Sequence, residues 1–306
     1  MSLEKYQGCL LGLALGDALG APYEGGPLER TLWRLIGTTS KGEMRWTDDT
    51  QMSLDLAESL AEHRALNADD VARRFAASYH WSRGYGPGAA RLLKRIRRGM
   101  HWQQANRAIY PEGSYGNGGA MRAPVIGLYF AQRPGMLLDA ARTSASITHA
   151  HPLGIEGAVL LASATALALA GEEPLALLRQ AASHCSSEAF VTRMAIAEKW
   201  LAAGDAPAAR DVARALGNKI SASESCVTGV YAALRFMHQP FLDMLRFIAA
   251  GSGDVDTISA MAGAVWGAAN GAGKLPAAQL EKIEQRDRLM HAAAVLYGNR
   301  PGNALS

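Results

Sequence analysis

Charge, aromatic side chains and cysteine are all scarce in this chain of 306 residues. Charged residues make up 19% and aromatics 7%, and 31 Lys plus Arg nearly balance 28 Asp plus Glu. A formal charge of +3 is too small for the electrostatic footprint of a specific nucleic-acid binder. So little charge beside 49% hydrophobic residues also excludes a disordered chain. Cys9, Cys185 and Cys226 are odd in number, widely spaced and never arranged as C-x-x-C. That excludes a disulfide framework and a zinc knuckle and points to a reducing, cytoplasmic setting. The opening MSLEKYQ lacks the basic region, apolar stretch and cleavage site of a signal peptide. The longest uncharged apolar run, 157–171, falls short of the roughly 18–20 residues of a membrane span. It is expected as a buried helix, with no membrane partner.

Strand-like alternation of apolar and polar residues is also rare. Ala, Leu, Glu and Arg instead dominate stretches whose apolar positions recur at three and four, the period of helices. The pattern predicts helices at 4–19, 50–64, 68–80, 87–98, 119–131, 137–147, 152–171, 174–184, 188–202, 207–216, 223–237, 240–250, 257–270 and 286–297. No linker composition or repeat divides the chain, so one all-α domain spanning 1–306 is expected. Gly8, Gly12, Gly16 and Gly20 recur every fourth residue and so lie along one face of the first helix, where missing side chains let another backbone come close. A membrane-dimerisation stripe has the same spacing, but Glu4, Lys5 and Asp17 flank or interrupt this one.

Acids concentrate in two segments. Trp46-Thr47-Asp48-Asp49-Thr50 precedes an amphipathic helix, and Gly253-Asp254-Val255-Asp256-Thr257 precedes an almost uncharged one. One carboxylate in each is explained as a helix cap, which leaves the second without a reason. Buried like charges cost several kcal/mol unless neutralised. Carboxylates with hydroxyls suit a hard cation such as Mg²⁺ or Mn²⁺. Taken singly each segment is as well explained by capping; together they favour a metal site. Glu24, in a Pro/Gly loop after the first helix, is either an exposed loop acid or a functional one.

Two glycine-rich loops, Arg83 to Gly88 and Gly113 to Arg122, each precede a helix. Such loops present amides to phosphate oxygens, although neither has the spacing of a Walker or Rossmann fingerprint and a plain tight turn fits the shorter equally well. Tyr115 supplies a ring that could stack on a base. His149 and His151 are expected to hydrogen-bond rather than ligate metal. The basic stretch Arg91, Lys94, Arg95, Arg97 and Arg98 is expected to be a solvated face.

Together these residues resemble the ADP-ribosyl-acceptor hydrolases, a family whose bacterial relatives include the dinitrogenase-reductase-activating glycohydrolase. The likeness runs through 16–24, 46–52, 83–88, 113–122, 147–157, 216–225 and 251–267, in the family's order. Gly-Ser-Tyr-Gly-Asn-Gly-Gly-Ala-Met-Arg, Leu-Gly-Asn-x-Ile and Arg-Gly-Tyr-Gly look most like the branch that hydrolyses serine-linked ADP-ribose, poly(ADP-ribose) and O-acetyl-ADP-ribose. The resemblance implies a single compact orthogonal helical bundle, two Mg²⁺ (or Mn²⁺) ions, and a monomer acting on ADP-ribose attached to a protein or small molecule. Thr47, Asp48, Asp49, Asp254, Asp256 and Thr257 would be metal ligands by that likeness. Glu24, Asp48, Asp254 and Asp256 would be the catalytic carboxylates. Gly84, Gly88, Gly113, Ser114 and Tyr115 would hold the diphosphate and adenosine, and Asn117, His149, Asn218 and Ile220 would line the ADP-ribose cleft. Two positions depart from the branch: Val255 stands where it usually has Thr, and Ile109-Tyr110 stands where an aromatic often stacks on adenine. An arginine-linked acceptor, whose guanidinium would need extra acidic or aromatic contacts near Glu24, and a non-catalytic ADP-ribose-binding protein are the alternatives.

Overall fold

The computed structural model describes residues 1–301, so the end of the expected 1–306 span lies outside the described residues. Among the described residues there are helices and isolated bridges but no strand, as the all-α expectation requires. The helices are α1 (Leu3–Gly20), α2 (Pro27–Ile36), α3 (Asp48–His63), α4 (Ala68–Ser78), α5 (Pro87–Arg97), α6 (Trp102–Ile109), α7 (Ala123–Tyr129), α8 (Pro134–Ser146), α9 (Pro152–Ala170), α10 (Pro174–Ala182), α11 (Glu188–Ala203), α12 (Ala209–Leu216), α13 (Ala222–Arg235), α14 (Phe241–Gly251), α15 (Val255–Asn270), α16 (Ala277–Leu280) and α17 (Arg286–Asn299).

Three of them, α2, α6 and α16, fall where the pattern predicts no helix. α6 is only eight residues long, so its apolar positions, among them Trp102, Ala105 and Ile109, span barely two turns, and it is anchored from outside. The Asn106 amide there donates to the Ser146 and Ile147 carbonyls at 2.8 and 3.3 Å. Conversely, the helix expected at 119–131 begins only at Ala123. The preceding Asn117 amide is taken by the Ile220 carbonyl at 2.9 Å, which holds the glycine loop open.

The pair that organises the molecule is α1 and α15, packed antiparallel through the glycine stripe. A Cβ on Gly8, Gly12 or Gly16 would collide with the carbonyl oxygen of Gly267, Gly263 or Ser259, and one on Gly20 would lie 2.6 Å from the Asp256 Cα. Gly263 and Gly267 return the contact onto the Gly12 and Gly8 carbonyls. Each helical glycine costs about 1 kcal/mol against alanine, so the stripe is explained by backbone contact, not by propensity. The antiparallel register has a functional consequence: the end of α1, with Glu24 just beyond it, meets the acidic start of α15.

By length and composition α9 is apolar enough to cross a membrane, with mean hydropathy 1.8, yet 72% of its apolar window is buried inside the fold. This corrects the run-length argument: what marks α9 as a core helix is the packing of α7, α8, α13 and α15 around it, not a shortage of apolar residues. The buried apolar side chains form one cluster reaching from Tyr6 in α1 to Leu296 in α17.

Candidate active site

In the first acidic segment neither carboxylate caps its helix, and in the second only Asp256 takes a first-turn amide, that of Thr257 at 2.8 Å. The N-cap of α3 is Thr47, whose hydroxyl accepts the Asp49 amide at 3.3 Å, so neither Asp48 nor Asp49 caps. Asp254 occupies the N-cap position of α15 but makes no capping hydrogen bond; its Oδ2 instead accepts from the Asn117 amide nitrogen at 2.5 Å. The two segments meet on Asp49. Thr47 and Thr257 both donate their hydroxyls to Asp49 Oδ2, at 3.0 and 3.4 Å. Carboxylate oxygens of Glu24, Asp254 and Asp256 lie within 4.8 Å of one another.

A cation fits this donor set. Asp49 is 1% exposed and its Oδ1 has no hydrogen-bond partner, and an orphaned buried carboxylate oxygen costs several kcal/mol unless a positive charge meets it. Burial first, then neighbouring carboxylates, holds Asp48, Asp49 and Asp256 well above the usual carboxylate range, and burial raises Asp254 as well. All the donors are hard oxygens, the set for Mg²⁺ or Mn²⁺.

A further buried acid supports the cluster from behind. Asp17 of α1, 0% exposed, accepts the Thr47 amide at 2.9 Å, the Thr50 amide at 3.1 Å and the Thr50 hydroxyl at 2.6 Å. It therefore ties the start of α3 to α1, and burial pushes its pKa up to about 6. From the sequence Asp17 served only as an objection to a membrane stripe; a lone acid inside a glycine-faced apolar helix was the available signal. A second tie was not visible at all. Arg83 makes a buried bidentate pair with Glu284 at 2.7 and 2.8 Å, donates to the Trp46 carbonyl at 2.7 Å and covers the Trp46 ring at 3.7 Å. This clamps Trp46, just before the first acidic segment, to the far end of the chain.

The cleft over these acids is a cavity of about 210 Å³, and its lining includes Glu24, Asp48, Gly84, Gly88, Ser114, Asn117, His149, Ile220, Asp254, Asp256 and Thr257. Gly84, at φ +83, lies against Asp48 and Thr47, so the shorter glycine loop borders the first acidic segment. His149 packs on Gly116 and Gly118, and its Nδ1 is 2.7 Å from the Thr148 hydroxyl. Burial and the Arg122 charge lower its pKa to about 3, which keeps the ring neutral. Arg122, fully buried, donates to the Gly118 carbonyl, to the Ser144 carbonyl at 2.6 Å and to the Thr148 hydroxyl at 2.9 Å. It thereby fixes the longer glycine loop.

Some expected residues sit elsewhere. Thr47 and Asp49 lie beneath the cleft floor, reached only through the hydrogen bonds above. Gly113 packs its backbone on His151, which caps α9. The Tyr115 ring is 56% exposed and meets His151 edge-on at 6.0 Å, outside the cleft lining. The aromatic that does line the cleft is Tyr110, against Gly88. Asn218 supports a loop: its side chain donates to the Gly251 and Ser252 carbonyls at 3.0 and 3.2 Å, and its carbonyl accepts the Asp254 amide at 2.9 Å. That network holds Ser252 at φ +59, ψ −170, a region L side chains rarely occupy, and so delivers Asp254 to the site. Of the basic stretch, Arg91, Lys94 and Arg98 are exposed as expected of a solvated face, whereas Arg95 is half-buried and Arg97 donates to the Ala76, Ala77 and Tyr79 carbonyls at 2.8, 3.2 and 2.9 Å.

A larger cavity of about 470 Å³ lies beside Leu19, Tyr23, Leu245 and Val255. Among the described residues no carboxylate lines it, so it offers a hard cation no charged ligand.

The raised carboxylates make metal-free stability fall with pH. Their folded pKa values exceed the unfolded ones, so the folded chain binds more protons, and stability present below about pH 4 is lost as pH rises through about 6 for Asp17 and through the raised pKa values of Asp48 and Asp256. In chelator, the unfolding midpoint is expected to drop between pH 5 and pH 8 by more than the roughly 2–4 °C that 1 kcal/mol produces in a chain of 150–250 residues. Mg²⁺ should restore more at pH 8 than at pH 5. Calorimetric scans at both pH values check it, and a metal-induced shift that is equal at both would contradict the linkage.

The pattern defining the ADP-ribosylglycohydrolase family matches residues 2–305. Over 90% of this chain and 89% of its own length, the ADP-ribosylhydrolase ARH3 of Xenopus tropicalis is 31% identical; that of Homo sapiens is 31% identical over 92% and 90%. The ADP-ribosyl-[dinitrogen reductase] glycohydrolase of Rhodospirillum rubrum is 36% identical over 49% of this chain and 53% of its own. A solved structure titled ADP-ribosylglycohydrolase-related protein complex superimposes with a TM-score of 0.74 at 27% identity, covering 98% of this chain and 99% of that one. With its fold and nearly its whole length in agreement, this chain belongs to the ADP-ribosylglycohydrolase family and is a hydrolase of ADP-ribose glycosidic linkages.

Proposed function

We propose that the protein is a metal-dependent hydrolase that cleaves the bond between the anomeric carbon of ADP-ribose and an oxygen acceptor, in serine-linked ADP-ribose, O-acetyl-ADP-ribose or poly(ADP-ribose), releasing ADP-ribose. It would work as a monomer in the cytoplasm. The observation that carries the reading is the convergence of Thr47, Thr257 and the two acidic segments on Asp49, with its Oδ1 buried and unpartnered.

Two Mg²⁺ or Mn²⁺ ions, held by Thr47, Asp48, Asp49, Asp254, Asp256 and Thr257, would supply Lewis acidity that orients the ribose hydroxyls and acidifies the attacking water. The remaining work falls to the chain. Glu24, in its loop at the cleft edge, takes the proton of that water and passes one to the departing acceptor. The surrounding carboxylates favour the positive charge that develops on the ribose as the acceptor leaves. Amides of the loop around Ser114 and Gly116 receive the diphosphate, while Tyr110 and Ile220 offer apolar surface to the adenosine. Neutral His149 is a hydrogen-bonding wall and not a general acid.

Release of ADP-ribose from serine-linked, acetyl-linked, polymeric and arginine-linked substrates, compared in Mg²⁺, Mn²⁺ and EDTA, tests this. Release is expected from the oxygen-linked substrates and its loss in EDTA. Glu24→Gln should lower turnover by about 10²-fold with ADP-ribose still bound, the scale of a general acid–base group. Turnover indifferent to chelation would remove the metal, and preference for the arginine-linked substrate would change the acceptor.

A further inference from the structure

We propose that Arg122 and Thr148 are positioning residues that hold the His149 ring in one tautomer, with its hydrogen on Nε2, so that it offers a fixed donor to an oxygen of the bound diphosphate. This rests on the hydrolase reading above and deepens it. There His149 is a wall of the cleft; here the residues behind it decide which of its nitrogens can donate.

The direction of each bond follows from which groups can donate. A guanidinium donates and never accepts. Both Nη2 hydrogens of Arg122 are spent, one on the Ser144 carbonyl at 2.6 Å and one on the Thr148 hydroxyl at 2.9 Å, while Nη1 donates to the Gly118 carbonyl. The Thr148 oxygen therefore accepts from Arg122 and still has its own hydrogen to place. Thr148 is 2% exposed, sealed from bulk water, and among the described residues its other hydrogen-bond neighbour is His149 Nδ1 at 2.7 Å. A buried hydroxyl hydrogen left without an acceptor is costly, so Thr148 donates and Nδ1 accepts. Nδ1 then carries no hydrogen, and the single hydrogen of the ring is on Nε2. An imidazolium, with hydrogens on both nitrogens, would turn the Thr148 hydrogen back on a guanidinium that cannot accept it.

Nε2 lies over the longer glycine loop. A Cβ on Gly116 or Gly118 would stand 3.3 or 2.9 Å from it, and the one on Gly116 would also stand 3.4 Å from Ser114 Oγ. Two glycines thus make room for the ring on the loop whose amides receive the diphosphate. His149 lines the cleft, and among the described residues its one hydrogen-bond partner is Thr148, which leaves Nε2 to the substrate. A nitrogen fixed as N–H cannot accept, so the position selects an acceptor such as a phosphate oxygen against a hydroxyl that would need to donate there.

The charged and titratable groups around the ring leave this assignment in place. Arg122 stands behind it, and its charge joins burial in opposing a second proton. His151, two residues along, spends Nδ1 on the Leu153 amide. Glu24, Asp48, Asp254 and Asp256 share the cleft lining and favour an imidazolium, but the second proton would have to enter at Nδ1, where the Thr148 oxygen and Arg122 stand.

Spectra of protein labelled with ¹⁵N in its histidine rings read the tautomer directly, and His149→Gln identifies the signal among the eight histidines. Wild type without ligand is expected to show a protonated Nε2 and a bare Nδ1, unchanged from pH 5 to pH 8. Thr148→Val removes the hydroxyl and keeps the shape. It should let the Nδ1–H tautomer appear and weaken calorimetrically measured ADP-ribose binding by about 10-fold, the worth of one buried hydrogen bond. Thr148→Ser, which keeps the hydroxyl, should retain the wild-type ring and affinity. A merely structural Thr148 would instead lower the unfolding temperature of the valine variant and leave its ring signature that of wild type. The proposal is overturned by a wild-type ring that carries its hydrogen on Nδ1 or takes up a second proton between pH 5 and pH 8, and by a valine variant whose ring or affinity is unchanged. Should Thr148→Val not fold, the wild-type spectrum decides alone. The spectra need no ligand, so if wild type neither binds nor releases ADP-ribose, the hydrolase reading fails while the tautomer is still decided.

Discussion

Asp48→Asn and Asp256→Asn are each expected to reduce ADP-ribose release by about 10³-fold or more while helix content stays that of the wild type. The two residues come from opposite ends of the chain and meet only because α3 and α15 both start at the cleft. Each carboxylate is held well above its usual pKa, chiefly by burial, so in metal-free protein each is a charge the fold disfavours. The neutral amide keeps the shape and removes that repulsion. The metal-free variants should therefore unfold at a higher temperature than metal-free wild type at pH 8, while gaining less from added Mg²⁺. A purely structural role predicts the opposite pair of results, lower stability with activity retained in the surviving fold. Release assayed at saturating metal, beside melting curves with and without Mg²⁺, separates the two. Near-normal turnover in both variants would remove the two-segment metal site.

How much of this was legible in the sequence depended on whether a residue announces its partner locally. The glycine stripe did so, because a four-residue spacing has a geometric meaning within one helix. The doubled acids at 48–49 and 254–256 did so as well, since capping accounts for one acid and not for two. Side chains whose purpose lies wholly in a distant partner were not legible. Glu284 looks like any acid in a loop until Arg83 is seen against it, and Asp17 looks like a blemish in an apolar helix until the Thr47 and Thr50 amides are seen to need it. Tyr115 and Asn218 show the converse limit. Their neighbours Ser114, Gly116 and Ile220 line the cleft, yet the Tyr115 ring lies outside it against His151, and Asn218 works on the backbone that presents Asp254. Segment position follows from sequence order; side-chain direction follows from packing, which order does not carry. Trp33 illustrates this most plainly, for it sits on α2, a helix absent from the sequence-based expectation, in a pocket it shares with Glu24.

Alanine at Gly12 or Gly16 should be among the most disruptive single-methyl changes possible here, at about 3 kcal/mol of stability or more. Ordinarily glycine to alanine inside a helix stabilises it by up to about 1 kcal/mol through propensity. Here the added carbon at either position would collide with a backbone carbonyl oxygen of α15, that of Gly263 or of Ser259. Backbone cannot turn aside as a flexible side chain can, so the helices must separate, and close-packed neighbours on both sides resist that movement. At Gly20 the new carbon would stand 2.6 Å from the Asp256 Cα and 2.9 Å from the Val255 carbonyl oxygen, at the first turn of α15, where one face is the cleft. Relief there is available by moving the start of α15, which carries Asp256 and Thr257 away from Asp49. Gly20→Ala should consequently lose less stability than Gly12→Ala or Gly16→Ala but lose about 10²-fold or more in turnover, as metal-site residues displaced by about 1 Å do. Urea unfolding of all three variants, with release measured on the folded fraction, gives the comparison. Equal stability losses at the three positions, with normal turnover in Gly20→Ala, would show that the register of α1 on α15 does not set the geometry of the site.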